Sequence, residues 1–326
     1  MKPIPKQVTL KTLIEHKSSQ TLLEYLVQRF HYHTAPEWVE RIQDGRVLVN
    51  GLKASENQPL RAGDEMAYTT DTWEEPEVNP NYRVIYEDET ILALSKPAPL
   101  PVHAIGAYFR NTLMYLLRDD RPEARDYYLV HRLDSETSGV ILLAKTKEAL
   151  RHLLKQWDGG EVRKTYQAIV FGKFEPAAKR VEGAIGSLVG RKIRMKLTVI
   201  PEGTSIERID ESPKPSVTEF ELVETRGNYS LIEARPLTGR THQIRVHLEH
   251  SGFPIVGDKI YSGNDETFLS FFENGWNDWL KERVLIPRMA LHARQIVFTH
   301  PATEKRMILE DPLTEDLQAF WGGLKG

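Results

Sequence analysis

The sequence contains no cysteine. This absence excludes disulfide bonds, zinc sites with thiolate ligands, iron–sulfur clusters and thiol catalysis. Long apolar runs are also missing: no stretch approaches the roughly 18 residues of a membrane-spanning helix, and the first residues lack the apolar segment of a signal peptide. Neither sign of charge is in excess, since 43 Lys and Arg residues stand against 46 Asp and Glu residues. We therefore expect a cytoplasmic protein that does not enter a membrane.

Motifs for nucleotides and metals are missing as well. The chain has neither the glycine-rich dinucleotide fingerprint nor a P-loop. His242, His247 and His250 lie close together in the sequence, but no HExxH spacing, cysteine or carboxylate motif completes a set of metal ligands. The sequence therefore predicts no metal and no cofactor, and these histidines are expected to be ordinary polar or capping residues.

The composition is that of a globular protein, with 40% hydrophobic and 27% charged residues in a chain of 326. This length predicts about two domains. Charge is segregated along the chain, because residues 145–196 carry 13 Lys and Arg against five Asp and Glu. Such a basic region is typical of a protein that binds a polyanion. A solvated surface is the alternative interpretation.

Residues 1–70 predict a small α/β domain. Apolar residues recur at helical spacing between positions 22 and 30. Thr34, followed three residues later by Glu37, predicts a capping box that opens a second helix. Residues 47–49 predict a short strand that ends at a hairpin turn. The acidic, proline-containing segment 71–82 has no hydrophobic period and is predicted to be a linker.

Residues 83–326 predict a larger domain in which strands dominate. The predicted strands are Arg83–Tyr86, Ile91–Leu94, Tyr128–Val130, Gly139–Ala144, Lys164–Phe171, Lys192–Ile200, Ser216–Val223 and Leu231–Ala234. Helical spacing occurs at Asn111–Leu117 and Glu148–Trp157. Many strands with helices between them favour an α+β fold with a mixed, mainly antiparallel sheet and flanking helices.

The segment HRLDSETSGV (131–140) concentrates polar groups between two predicted strands. It contains one cation, Arg132, two carboxylates, Asp134 and Glu136, and two hydroxyl groups. Loops that rigid strands position commonly carry catalytic side chains. From spacing alone, however, a polar turn in which Asp134 and Thr137 cap backbone amides is the favoured interpretation.

The segment RPLTGRTHQIRVHLEHSG (235–252) predicts a helix that begins beside positive charge. Thr241 is suited to cap a helix that runs as far as Leu248. A helix N-terminus with Arg240 next to it is suited to bind an anion. Arg245, one turn further on, can face that anion or a carboxylate. A surface helix with solvated charges is the alternative.

The segment VRKTYQAIVFG (162–172) predicts a strand that carries Tyr166 just after Arg163 and Lys164. This strand belongs to the basic region 145–196. Taken alone, a strand tyrosine is usually part of the core, with its hydroxyl group hydrogen-bonded.

Together these segments resemble the RNA pseudouridine synthases, in particular the family that modifies large-subunit ribosomal RNA and some transfer RNAs (the RluA family). HRLDSETSG is similar to that family's catalytic loop. The other similar segments are, in chain order, YEDETILALSKPAPLPVH (86–103), KTYQAIVFG (164–172), PLTGRTHQIRVHL with GFPIVGDKIY (236–261) and LHA (291–293). The sequence departs from the family in Pro99, where glycine is more usual, and in a longer and more acidic segment at 264–284.

The N-terminal segment 18–70 resembles the small RNA-binding domain shared with a ribosomal small-subunit protein. The common family arrangement places such a domain before the catalytic one. This chain departs from that domain's pattern, because its predicted helices carry acidic residues and no basic face. The acidic residues are Glu24, Glu37, Glu40 and Asp44. RNA binding and simple positioning of the catalytic domain are both open for this segment.

The resemblance implies an enzyme that breaks the glycosidic bond of a uridine, rotates the base and rejoins it through carbon, with no metal, cofactor or energy source. It implies that Asp134 is the catalytic carboxylate, either as nucleophile at the anomeric carbon or as base towards a sugar proton. It implies that Arg245 pairs with Asp134, and an adjacent cation lowers a carboxyl pKa. It also implies that Tyr166 packs on the base and assists proton removal from carbon.

The expected partner is structured RNA, ribosomal or transfer, bound by a monomer. By the resemblance Arg132 enters the space that the flipped uridine leaves, and extrusion is easiest from a loop. Arg240 is expected to meet a phosphate. In RKIRMKLTVI (191–200) cations alternate with apolar residues, which on a strand places the cations on one face. The residues expected to contact RNA are Arg132, Lys164, Lys192, Arg194, Lys196, Arg240 and His242.

Two other functions fit parts of the pattern. A non-catalytic RNA-binding or ribosome-associated protein on the same fold is one, although it predicts the loss of Asp134, Tyr166 or Arg245, and all three are present. A glycoside hydrolase that uses Asp134 and Glu136 is the other. It needs two carboxylates about 5–10 Å apart across a sugar, and the basic region suits RNA better than a neutral sugar.

Overall fold

The computed structural model describes residues 9–14, 20–30, 33–69, 75–193 and 195–325. The chain divides into a small unit that ends at Glu75 and a large unit that begins at Pro76. The predicted linker 71–82 spans this division, and its first four residues lie outside the described part.

The small unit combines two helices with a four-stranded antiparallel sheet. Its elements are β1 (Thr9–Leu13), α1 (Leu22–Arg29), α2 (Ala35–Gln43), β2 (Val47–Val49), β3 (Leu52–Lys53) and β4 (Glu65–Thr69), with strand order β1-β4-β2-β3. The predicted capping box is confirmed, since Thr34 N donates to Glu37 Oε2 at 2.7 Å. The core of the unit forms around Trp38, which is fully buried.

The large unit contains the remaining elements. They are β5 (Arg83–Glu87), β6 (Ile91–Lys96), α3 (Leu113–Asp120), β7 (Tyr128–Leu129), β8 (Ser138–Ala144), α4 (Lys147–Asp158), β9 (Arg163–Phe171), β10 (Ala178–Leu188), β11 (Thr198–Ile200), β12 (Ile209–Arg226), β13 (Tyr229–Pro236), α5 (Gln243–His250), α6 (Asp265–Asn274), α7 (Asp278–Val284), β14 (Leu291–Thr299), β15 (Arg306–Glu310) and α8 (Glu315–Gly323). Among the described residues, none of these helices has the length and apolarity that crossing a bilayer requires.

One mixed sheet of eleven strands organises the large unit. Its order is β11-β10-β12-β13-β9-β14-β8-β6-β5, and β15 and β7 add to β14 and β8. All pairs are antiparallel except β8 with β14. The predicted α+β fold with a mainly antiparallel sheet is therefore confirmed.

The middle of the sheet is covered on both sides. β6 and β8 are buried along their whole length, because α4 packs with one set of their side chains and α3 with the other. A third core joins α5 and α8 to β9, β12 and β13. The parallel pair brings Gly139 against Ala293, where an added Cβ would lie 2.2 Å from the Ala293 carbonyl oxygen. Only glycine fits at the point where the segment 131–138 enters β8.

One strand prediction that begins in the basic region is wrong in its bounds. The strand predicted from Lys192 begins only at Thr198, because Lys196 N closes a turn onto Ile193 O at 3.0 Å and Leu197 N donates to the Tyr261 hydroxyl at 3.0 Å. These hydrogen bonds replace those of a sheet. The predicted alternation of cations on one strand face is therefore wrong for the residues before Thr198.

The helix predicted to be capped by Thr241 begins one position later than that cap implies. His242 is its N-cap residue, with φ of +56°, and the helix starts at Gln243. His242 therefore has a left-handed backbone conformation and lies just outside the regular turns of the helix.

Candidate active site

The Asp134 loop, residues 131–138, connects β7 to β8 at the centre of the sheet. His131 anchors its start, because its Nε2 accepts a hydrogen bond from Leu142 N at 3.0 Å and its ring stacks on Trp157. Burial, with the charge of Lys164 nearby, lowers the pKa of His131 to about 3. His131 is therefore a neutral acceptor at neutral pH. It holds the loop through its ring.

A turn closes inside the loop, but not the turn that spacing favoured. The backbone Thr137 N donates to Asp134 O at 3.1 Å. The carboxylate of Asp134 caps no amide of this turn and instead accepts from Arg245 Nη1 at 2.8 Å. The favoured interpretation of Asp134 as a capping residue is therefore wrong. The charge of Arg245, which lies on α5, outweighs a local hydrogen bond.

Arg245 binds two carboxylates at once. Its Nε and Nη2 atoms donate to the two carboxylate oxygens of Asp258 at 2.7 and 2.9 Å, while Nη1 reaches Asp134. Asp258 is fully buried and also accepts from the backbone amides of Ile260 and Tyr261 at 3.0 and 3.1 Å. A planar guanidinium that is clamped on one side by a bidentate pair presents its remaining edge in a fixed direction.

This arrangement sets the charge of Asp134. Burial alone would raise the pKa of Asp134, but the positive charge of Arg245, a weaker contribution from His242 and the Arg245 hydrogen bond hold that pKa below its ordinary value. The side chain of Asp134 remains one-third exposed. Arg245 contacts its Oδ2 atom, and Oδ1 accepts no hydrogen bond from any residue that the structure describes. Asp134 is an ionised carboxylate with one oxygen available to a ligand.

His242 and Tyr261 form the next contacts around this pair. His242 Nδ1 lies 3.0 Å from the Tyr261 hydroxyl, and its Nε2 lies 4.0 Å from Asp134 Oδ2. Burial, and then the charge of Arg245, lowers the pKa of His242 to about 4. The ring is thus neutral at neutral pH. The guanidinium of Arg245 also lies over the Tyr261 ring, 4.9 Å from its centroid.

Tyr166 lies on β9 between its neighbours Ala234 of β13 and Ala293 of β14. Its ring packs partly buried between two of the cores. Its hydroxyl makes no hydrogen bond within the described part of the chain, so the usual core role of a strand tyrosine is not fulfilled. Burial and the charge of Asp134 raise the pKa of Tyr166. The hydroxyl is therefore protonated at neutral pH and available to a ligand.

Two buried lysines hold the Asp134 loop. Lys96 Nζ donates to the carbonyl oxygens of Pro97, Leu100 and Ser135 at 2.9, 2.8 and 3.1 Å, and burial lowers its pKa to about 7. Lys259 Nζ lies 2.8 Å from Glu136 Oε1. Glu136 is thus committed to an ion pair, which argues against its use with Asp134 as a glycosidase pair.

The residues expected to contact RNA are placed differently from one another. Arg132 is exposed and forms no ion pair with the residues that the structure describes. Arg240 is exposed next to the start of α5, with Nε donating to Pro215 O at 3.0 Å. Lys164 lies over the Trp157 ring and near Gly239, and burial lowers its pKa. These three cations and His242 belong to the elements that surround Asp134.

The two described cations among the RNA-binding candidates of segment 191–200 differ in their exposure. Lys192 is exposed. Lys196 is largely buried and forms an ion pair with Asp265 at 3.1 Å. Arg194 lies outside the described residues.

Sequence reasoning missed Asp258 and the two loop-holding lysines, Lys96 and Lys259. A signal for Asp258 was present, since GFPIVGDKIY was among the resembling segments, but no role was attached to it. Lys96 ends an apolar strand, where a lysine is conventionally read as solvated. Lys96 can be buried because carbonyl oxygens of the neighbouring loops accept hydrogen bonds from its ammonium group.

Comparison with known proteins agrees with this geometry. The RNA pseudouridylate synthase family matches residues 90–250, which include Asp134, Tyr166 and Arg245. Ribosomal large subunit pseudouridine synthase C of Vibrio vulnificus (strain CMCP6) is 36% identical over 290 residues, which cover 85% of this chain and 84% of that protein. The protein of the same name from Escherichia coli (strain K12) is 35% identical over 288 residues, with the same coverage.

Two solved structures are similar in fold as well as in sequence. Human RNA pseudouridylate synthase domain containing 1 has a TM-score of 0.58 and 26% identity, and the match covers 76% of this chain and 90% of that one. Human RNA pseudouridylate synthase domain containing 4 has a TM-score of 0.56 and 26% identity, over 72% and 90%. The chain therefore belongs to the RNA pseudouridylate synthases and isomerises uridine to pseudouridine in RNA.

Proposed function

We propose that the chain modifies ribosomal RNA of the large subunit and that Asp134 is its catalytic carboxylate. The Asp134–Arg245–Asp258 arrangement carries the second part of this proposal, because it keeps an accessible carboxylate charged in a largely buried site. The choice of RNA is supported by the names of relatives that are 34–36% identical over 85–87% of the chain.

The reaction is an isomerisation in which every atom of the substrate is retained except one exchanged proton. The bond from N1 of uracil to C1′ of the ribose breaks, the base rotates, and a bond from C5 to C1′ forms. C5 then loses its proton and N1 holds one. In this proposal Asp134 acts on the ribose through Oδ1, the oxygen that Arg245 leaves open, and both nucleophilic attack and removal of a sugar proton require its charge.

Tyr166 and Arg245 complete the proposed catalytic set. Tyr166 packs against the base. Its protonated hydroxyl has no hydrogen-bond partner among the residues that the structure describes, and it is suited to a hydrogen bond with the base or with a proton acceptor near C5. Arg245 keeps Asp134 ionised and directed. Neither role needs a metal or an organic cofactor.

The cations around the site, and His242, are proposed to bind RNA. Arg132 precedes Asp134 by two residues and enters the stack in place of the flipped uridine. Arg240 and Lys164 meet phosphates, and neutral His242 contacts the ribose or base by hydrogen bonding. We propose that the RNA backbone, away from the modified uridine, is contacted by Lys192, Arg194 and Lys196. Lys196 already forms an ion pair with Asp265.

We also propose that one copy of the chain is sufficient for the reaction, in the cytoplasm. Asp134, Arg245, Asp258 and Tyr166 all come from a single chain, so the catalytic set is complete without a second copy. The small unit is proposed to be an RNA-binding-like domain, 1–70, that positions the catalytic domain, 83–326.

Mapping pseudouridine across all RNAs tests the choice of substrate. Cells with the gene, without it, and with the Asp134→Asn variant in its place are compared. We expect at least one uridine of large-subunit ribosomal RNA to lose modification in the deletion strain and in the variant strain. Loss confined to transfer RNA, with an unchanged ribosomal map, would contradict the proposed substrate and leave the enzyme class intact.

A further inference from the structure

The C-terminal end of the Asp134 loop is held by a segment about 150 residues further along the chain. We call residues 287–292 the clasp segment. Met289 N donates to Glu136 Oε2 at 3.0 Å, and Arg288 Nη1 donates to Ser138 Oγ at 3.2 Å. Ser138 Oγ also lies 3.0 Å from His292 Nδ1. Two polar side chains that follow Asp134 in the loop, those of Glu136 and Ser138, are therefore held by the clasp segment.

Arg288 is itself tied to the start of α8. Its Nε and Nη2 atoms donate to the two carboxylate oxygens of Asp316 at 2.6 and 2.8 Å, and Nη2 donates to Thr314 Oγ1 at 2.6 Å. Thr314 is the N-cap residue of α8, and Asp316 lies in its first turn. The side chain of Arg288 is 7% exposed, whereas that of Asp316 is 58% exposed. One buried guanidinium therefore connects a helix start to the last residue of the Asp134 loop.

The same helix packs in a core to which α5, the helix that carries Arg245, also contributes. Leu317 and Trp321 of α8 lie in one buried cluster with Ile244 and Leu248 of α5. Arg245 follows Ile244 directly. Both partners of the contact between Asp134 and Arg245 are thus linked to α8. Arg245 is linked through the core that α5 and α8 share, and the Asp134 loop is linked through Arg288.

The backbone of the clasp segment has little freedom at Arg288. An added Cβ on Gly257, the residue before Asp258, would lie 2.0 Å from the Arg288 carbonyl oxygen. Lys259 Nζ donates to Pro287 O at 2.8 Å and pairs with Glu136. The clasp segment therefore touches the Asp134 loop and the Asp258 turn together.

We propose that Arg288 is a positioning residue for catalysis. It joins the start of α8 to Ser138, so that the direction of Asp134 towards the ribose depends on a pair, Arg288 with Asp316, that touches neither Asp134 nor the substrate. The proposal rests on the catalytic role proposed above for Asp134. A purely structural role, in which Arg288 only stabilises the fold, is the competing interpretation.

Single-turnover rates at saturating RNA separate these interpretations. The probe is ribosomal RNA isolated from cells that lack the gene, labelled with tritium at C5 of uridine, since rejoining through C5 releases that hydrogen. Arg288→Gln is expected to slow the reaction by about 10²-fold, the usual effect of a small misplacement of a reacting group, with unchanged RNA affinity. Arg288→Lys is expected to recover only part of the rate, because one ammonium cannot span Asp316, Thr314 and Ser138.

Arg226→Gln is the matched control. Arg226 Nη1 donates to Trp321 O at 3.0 Å near the other end of α8, and Arg226 also pairs with Glu224. No hydrogen bond connects it to the Asp134 loop among the described residues. We expect this variant to lower the melting temperature without changing the single-turnover rate of the folded protein.

A double-mutant cycle tests the connection itself. Asp316→Asn and Ser138→Ala change two residues that do not contact each other and that share Arg288 as partner. If Arg288 transmits position, their effects on the single-turnover rate will be non-additive; independent sites give additive effects. If Arg288→Gln does not fold, the single-turnover rate of Asp316→Asn alone tests the proposal, because the Asp316 side chain is exposed and its replacement is better tolerated.

Three outcomes would overturn the proposal. They are a wild-type rate in Arg288→Gln, equal rate losses in Arg288→Gln and Arg226→Gln, and additive effects in the cycle. Asp134→Asn is assayed on the same RNA. If that variant is inactive while Arg288→Gln is fully active, only the positioning proposal fails. If Asp134→Asn retains the wild-type rate, the proposed role of Asp134 fails first.

Discussion

Asp134 and Arg245 are 111 residues apart in the chain, and their side chains meet at 2.8 Å. The contact joins the loop before β8 to the helix α5, which belongs to a different core. Because Asp258 holds two other nitrogens of the same guanidinium, the charge near Asp134 is fixed in position before any substrate binds. Preorganised charge of this kind requires no rearrangement at the moment of reaction.

Replacement of Asp134 by asparagine keeps the shape of the side chain and removes its charge. We expect the single-turnover rate to fall by at least the roughly 10²–10⁴-fold that acid–base groups contribute. RNA affinity, measured by filter binding, should stay nearly unchanged. Asp158→Asn, at an exposed aspartate of α4, is the control and should retain the wild-type rate. A residual rate in Asp134→Asn within tenfold of wild type would exclude a catalytic role for Asp134.

Replacement of Asp258 by asparagine leaves Asp134 in place and loosens Arg245. Removing one partner of a buried ion pair destabilises a protein by about 3–5 kcal/mol, which urea denaturation will detect. The pKa of Asp134 should remain low, because Arg245 keeps its charge, but the rate should fall by about 10²-fold through misplacement of the guanidinium. A stable variant with wild-type activity would show that Asp258 is not needed to direct Arg245.

Tyr166→Phe distinguishes a hydroxyl function from packing. The hydroxyl has no hydrogen-bond partner in the described part of the chain, so its removal should leave the free energy of unfolding within about 0.5 kcal/mol of wild type. We expect RNA binding to persist and most of the single-turnover rate to be lost. Equal rates in the two proteins would mean that Tyr166 acts only through its ring.

The pH dependence follows from the lowered pKa values. Asp134 has a pKa below its ordinary value, and that of His242 is about 4. Burial lowers the pKa of Lys96, which holds the Asp134 loop, to about 7, so this lysine is charged below about pH 6. Asp134 and His242 keep one charge state as the pH falls from about 6 to about 5, and the single-turnover rate should be flat there. Because the pKa of Asp134 is lower in the folded chain, its ionisation stabilises the fold above the unfolded value, and this stability is lost as the pH falls through the folded value. A change of the rate between about pH 6 and about pH 5 would contradict the neutral state of His242.

The salt dependence of RNA affinity tests whether the cations of segment 191–200 contact RNA. Replacing Lys192, Arg194 and Lys196 together by glutamine should flatten the plot of log affinity against log salt by about two to three if all three touch phosphates. Lys196→Gln alone should change the slope least, because Asp265 already pairs with that side chain. The rate at saturating RNA should be unchanged. An identical slope in the triple variant and the wild type would remove this segment from the RNA-binding surface.

Hydrophobic periodicity predicted the helices and strands that are buried on one face or on both. The helices α1, α2 and α4 and the strands β6, β8 and β9 lie within one or two residues of their predicted positions, since local hydrophobic spacing decides them. The segment before Thr198 defied this rule. Its alternation of charged and apolar residues is typical of a strand. In the structure, however, its backbone forms hydrogen bonds within a turn and to the Tyr261 hydroxyl instead of to a neighbouring strand. Residue spacing does not indicate such partners.

The sequence by itself determined the chemical groups of this protein. HRLDSETSG, the strand that carries Tyr166 and the helix that carries Arg245 were recognisable because each is a continuous stretch with local constraints. The family resemblance implied that Arg245 pairs with Asp134, and the structure places the two side chains in contact. Only the tertiary structure decided the other partners: it paired Glu136 with Lys259, and it buried Lys96 among carbonyl groups. Contacts between residues more than 100 positions apart depend on the order of strands in the sheet, and no local spacing encodes that order.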